Sequence, residues 1–172
     1  MHSGDRGGRG GRRVVVTGIG AVTPIGTGVE ALWEGVRRER SAVRRITRFD
    51  PTAFSSHIAA EVDGFDPLRW IDARTCRRLD RCSQFAVASA KMAVDDAGLV
   101  LENEDRARMG VCIGSALGGA AFAEEQHLAW IERGVSALSP ALALQVFVGA
   151  GSCRTAIELG LTGCSTSNAD SC

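Results

Sequence analysis

The run RMGVCIGSALGG at residues 108–119 sets Val111, Cys112 and Ile113 between glycines and follows them with a glycine-rich turn. A short apolar run bounded by turn signals reads as a strand buried on both faces in a parallel sheet. The residues behind it predict a helix over roughly 120–133. Upstream, RRVVVTGIG at 12–20 repeats the design, with three valines ahead of Gly18 and Gly20, and predicts a strand over 13–18. Pro24 and Gly26 then hold a tight loop, and VEALWEGVRR at 29–38 places Val29, Leu32, Trp33 and Val36 on one helical face.

Between these units, residues 41–74 are irregular. FDPTAF and FDPLRW supply X-Pro turns, and HIAAEV at 57–62 reads as a short edge strand. From Thr75 to Ala97 a helical pattern runs through Leu79, Cys82, Phe85, Ala86, Ala90, Ala93 and Val94 and stops at Gly98. Its small residues imply close packing against a neighbour. The chain after Pro140 is mostly helical, and Gly163 to Asp170 predicts a third strand. Strands alternating with helices give an α/β class with a parallel sheet covered by helices.

A chain of 172 residues with 45% hydrophobic and 23% charged residues fits one globular domain. Its 20 basic and 20 acidic residues cancel, which argues against a nucleic-acid partner held by counterion release. The start, MHSGDRGGRGGRR, has no apolar signal region, and no run is long enough to span a bilayer. We therefore expect a flexible tail over 1–12, a cytoplasmic protein and no membrane partner. Six cysteines without an export signal are expected as reduced thiols. None forms a C-x-x-C pair, and His2, His57 and His127 stand apart, so no metal site is expected. Gly18-x-Gly20 between strand and helix opens a dinucleotide-binding reading, but Thr23 replaces the third glycine and no second strand ending in an acid follows.

Taken in order, VVVTGIGAVTPIG, RFD at 48–50, LDRCSQFAVASAKMAVDDAGL, GVCIGSALGG, LSP at 138–140 and the closing ADSC resemble successive landmarks of the β-ketoacyl-acyl carrier protein synthases. The elongating synthases of fatty acid and polyketide assembly are the most similar. The resemblance implies an incomplete amino-terminal half of a thiolase-like layered fold over 13–172. It makes Cys172 the counterpart of the acyl-accepting nucleophile, and Leu117 the counterpart of an apolar residue lining the acyl pocket near the dimer interface. It also implies an acyl carrier protein bearing acyl and malonyl thioesters as partner, a homo-oligomer or a pairing with a synthase subunit, and no cofactor.

A cysteine suits acyl transfer because its thiolate is intrinsically nucleophilic, and a helix N-terminus lowers its pKa. Here the sequence stops at Cys172, and a terminal carboxylate beside the thiol opposes thiolate formation. A sluggish thiol is expected. The two histidines and the lysine that the resemblance implies for condensation have no counterparts, since His57 and His127 match no such motif. The expectation is the amino-terminal portion of a condensing enzyme, inactive in condensation on its own. The alternative is a non-catalytic remnant or dimerisation fragment, pairing through GSALGG and the helical region 141–160. Val146, Phe147, Val148 and Ile157 are expected to leave apolar surface that favours association. Cys82 and Cys112 are expected as buried small hydrophobes. Asp170 and Ser171 are expected to shape the last turn. Cys164 stands where the family commonly has proline, which should weaken the turn before the third strand.

Overall fold

A computed structural model describes residues 13–169 of the chain. Residues 13–18 do not form the buried strand expected of them. Val14 is 93% exposed, and this segment pairs with no strand among the described residues. Apolar sequence favours extended chain, but a ladder needs a neighbour to take up its N–H and C=O groups. The glycines that follow lie instead against the helix at residues 81–96. A Cβ on Gly20 would overlap the Ser89 carbonyl oxygen, and one on Gly18 would overlap that of Ala93. Ile19 N donates to Asp96 Oδ2 at 2.8 Å. These glycines thus serve a close approach of backbone to helix.

Strands β1 (Val22–Thr23) and β2 (Gly26–Thr27) form a small antiparallel hairpin around Pro24. Helix α1 (Val29–Arg37) follows. Its buried side is Gly35 with half-buried Leu32, whereas Trp33 is 63% exposed and Val29 and Val36 also face solvent. The apolar face read from the sequence exists but is uncovered among the described residues. Strands β3 (Val43–Arg45) and β4 (Ile58–Ala60) pair antiparallel, with Arg44 opposite Ala59, as the edge-strand reading of 57–62 anticipates. Beyond β4 the buried Glu61 accepts from Thr47 Oγ1 (2.7 Å), Thr47 N and Arg48 N, and pairs with Arg44 at 3.1 Å. The Thr47 hydroxyl, more than any other neighbour, holds the Glu61 carboxyl below the ordinary carboxylate range.

The helix expected from Thr75 to Ala97 is two helices, α2 (Ala73–Cys76) and α3 (Arg81–Asp96). Asp80 makes the break. Its carboxylate accepts from Cys82 N at 2.9 Å and from Ser83 N at 3.2 Å, so it begins a new helix instead of continuing the old one. Val87 and Ala88 of α3 are fully buried. Around them lie two apolar clusters, one built on Phe65, Ala88 and Met92 and the other on Ile71, Leu79 and Val87.

Strand β5 (Val111–Gly114), helix α4 (Ala120–Arg133), helix α5 (Leu142–Val146), helix α6 (Ala150–Leu159) and strand β6 (Ser165–Asn168) complete the described chain. β5 and β6 are parallel, with Val111 opposite Ser165 and Gly114 opposite Asn168. Helices α3 and α6 pack against one another on one face of this ladder, where Gly151 lies flush with Ile113 and Ala86. On the other face Cys112, Thr166 and Asn168 are exposed. Cys112 is therefore not the buried residue expected, because the alternation of the strand points it away from the only helices that cover the ladder among the described residues. The turn before β6 closes without a proline. Gly163 N donates to Met109 O and Val111 N donates to Cys164 O, each at 3.0 Å.

Candidate functional site

In a parallel α/β arrangement the carboxyl ends of the strands are where loops gather into a site. β5 and β6 end at one level, and Ser115 N donates to Asn168 O at 2.9 Å, which extends the ladder by one bond beyond Gly114. Ser115 then organises the turn. Its Oγ accepts from Gly118 N at 3.1 Å and lies 3.7 Å from Cys82 Sγ, so a residue after β5 and one in the first turn of α3 meet at the same edge. Gly119 completes the close approach, since a Cβ there would overlap the Gln145 carbonyl oxygen. Leu117, at the tip of this turn, is 75% exposed. It packs into no core formed by the described residues.

Beneath the ladder, Ser152 Oγ donates to Gly149 O at 3.1 Å and stands 2.7 Å from Ser167 Oγ. The hydroxyl pair joins the start of α6 to β6, the strand that leads toward the closing ADSC. Asp170, Ser171 and Cys172 lie outside the described residues. Sequence reading passed over Ser115, Ser152 and Ser167. A serine directly behind a strand and three residues ahead of a glycine is a recognisable turn signal, but the pairing of Ser152 with Ser167 depends on tertiary packing alone.

The remaining thiols separate by environment. Cys112, Cys153 and Cys164 are exposed, and Cys76 and Cys82 are half-buried. Burial, reinforced by the carboxylates of Asp66 and Asp72, pushes the Cys76 thiol up and disfavours its thiolate. His57 Nε2 contacts Phe54 O at 2.8 Å, and His127 packs on Trp130 within α4, so the two are committed to separate local contacts. Among the described residues no group of three or more His, Cys, Asp and Glu side chains is arranged to hold a metal ion.

The family model described as "Beta-ketoacyl synthase, N-terminal domain" matches residues 11–172. The chain belongs to the β-ketoacyl synthase family. Among its curated relatives, a 3-oxoacyl-[acyl-carrier-protein] synthase 2 of Coxiella burnetii is 37% identical over 161 residues, which cover 94% of this chain and 39% of the relative. Of solved structures, the ishigamide ketosynthase/chain length factor superposes with a TM-score of 0.83 at 37% identity, over 91% of this chain and 40% of that one. A type II polyketide ketosynthase bound to its acyl carrier protein, AntDE:AntF, superposes with a TM-score of 0.76 at 24% identity and supports the fold alone. The β-ketoacyl synthase domain seen here thus spans about two fifths of the length of these proteins, and its layers are those of the amino-terminal part of the thiolase-like fold.

Proposed function

We propose that these residues form the acyl-accepting part of a condensing enzyme. Cys172 takes an acyl chain from an acyl carrier protein thioester, and the complete enzyme extends that chain by decarboxylative condensation with malonyl-carrier in fatty acid or polyketide biosynthesis. The observation that carries this reading is the unbroken family match through residue 172, which includes the closing cysteine. The shared end of β5 and β6 supports it, because that edge is where a parallel sheet presents reacting groups. The exposure of Leu117 at the same edge supports a role in lining the acyl pocket. Acyl carrier protein as partner, pairing with a second copy or another synthase subunit, and action in the cytoplasm belong to the same proposal. The exposed Trp130, Ile131 and Phe147 of the α4–α5 region are consistent with such pairing.

A chimaera settles the chemistry. Residues 11–172 replace their counterpart in the Coxiella synthase, and the product is incubated with an acyl-carrier thioester and mapped by peptide mass spectrometry. Acyl mass on the Cys172 peptide, abolished by Cys172→Ala, is the expected result. Acyl mass distributed over Cys82 or Cys112 in place of Cys172 overturns the assignment.

A further inference from the structure

Two guanidinium groups converge on one carbonyl. Arg48 Nη2 donates to Val62 O at 3.3 Å, and Arg81 Nη2 donates to the same oxygen at 2.9 Å. Arg81 is also held over the Phe85 ring, 4.8 Å from its centroid. Neither arginine forms an ion pair among the described residues, although Arg44 nearby pairs with both Glu61 and Asp63. Burial, and after it the charge of Arg48, pushes the pKa of Arg81 down, with Asp63 opposing the shift.

Both line a cavity of about 500 Å³ together with Arg77, Glu125 and Gln145. The carboxylate of Asp80, also at its wall, is spent on the N-cap of α3. Gln145 is 5% exposed, yet its side-chain amide makes no hydrogen bond to any described residue. Among the described residues only Thr155 Oγ1 is a fully buried side-chain polar atom without a partner, so the Gln145 amide keeps solvent access and is available to donate into the cavity that it lines. Three guanidinium groups line the cavity with two carboxylates, those of Asp80 and Glu125. We propose that this cavity is a binding site for an oxyanion group, phosphate or carboxylate, that bridges Arg48 and Arg81 and accepts from the amide of Gln145. Guanidinium forks match both oxyanions, and the charged hydrogen bonds they make are the strong ones. The site does not involve Cys172, so it stands or falls independently of the acyl-transfer reading.

The test is a calorimetric titration of the full chain at low ionic strength with inorganic phosphate and, separately, with succinate. The expected result is saturable 1:1 binding of at least one of them. Arg48→Met and Gln145→Leu should each weaken it by about tenfold, the loss of one charged or one buried hydrogen bond. Arg74→Gln, which removes an exposed charge outside the cavity, should leave it unchanged. Preference for phosphate assigns a phosphorylated ligand, and preference for succinate assigns a carboxylate. Absence of saturable binding for both anions overturns the proposal. So does equal weakening by Arg74→Gln, or wild-type binding in both Arg48→Met and Gln145→Leu. Because Arg48 lies at the surface, its variant keeps the test readable should Gln145→Leu fail to fold.

Discussion

Ser152 Oγ and Ser167 Oγ stand 2.7 Å apart, so α6 and β6 are joined side chain to side chain beneath the parallel ladder. Ser152→Ala removes that bond and the one to Gly149 O, and should cost about 1–2 kcal/mol in urea unfolding. The same variant should speed amide exchange along β6. Unchanged exchange there would mean that the hydroxyl pair does not hold the strand.

The extended segment before β1 depends on two missing side chains. Gly20→Ala places a Cβ against the Ser89 carbonyl, and the segment must lift from α3, at a cost of about 1–3 kcal/mol. Gly114→Ala is the matched control, since the space around that position is open. It should leave the thermal midpoint unchanged or slightly raised.

Lys91, the single lysine of the chain, donates to Trp70 O at 2.7 Å and to Glu158 Oε2 at 3.2 Å. Lys91→Met strands a part-buried carboxylate and a carbonyl at once, and should destabilise by about 1–3 kcal/mol. Glu158→Gln keeps an acceptor for Lys91 and should cost less. In a double-mutant cycle the pair should show coupling, because the two side chains share one contact. Additive losses would show that the pair contributes nothing jointly.

Acid sensitivity should centre on Glu61 and Asp72. Hydrogen bonds hold both carboxyls below their ordinary range in the folded state, with the side chain of Thr47 the chief cause for Glu61 and that of Thr75 for Asp72. The stability they confer is complete above the unfolded carboxylate pKa and is lost as pH falls through the lower folded values. Between neutral pH and about pH 3, a window set by unperturbed carboxylates, Glu61→Gln should flatten the loss of stability seen in the wild type. Parallel pH profiles for the two proteins would remove Glu61 from the acid response.

Much of this architecture was legible residue by residue. The helix expected behind the glycine-rich turn, over 120–133, became α4, the glycine-bounded run at 111–113 became β5, and the strand expected from Gly163 to Asp170 became β6 over Ser165–Asn168. These are local decisions, set by periodicity and turn chemistry. What could not be read depends on contacts far away in sequence. Val14 to Val16 look like strand residues, but pairing is a property of two segments. Cys112 looks buried, but burial depends on which face the helices cover. The division of the expected long helix turns on Asp80, whose carboxylate serves a cap as readily as a helical surface. At the candidate site, Cys172 and Leu117 are named by the resemblance alone, while Ser115, Ser152 and the Arg48–Arg81 convergence emerged only from the packed structure.

The matching of Gly114 with Asn168 makes the ladder a ruler with two-residue markings. Inserting a single residue between Cys164 and Ser167 would turn every later side chain of β6 to the opposite side. Ser167 would swing away from α6, and a different atom would arrive beside Ser115. Length changes should therefore be tolerated in the exposed chain at 52–56 and rejected in the few residues leading to Asn168, so that spacing, more than side-chain identity, is what this edge of the molecule protects.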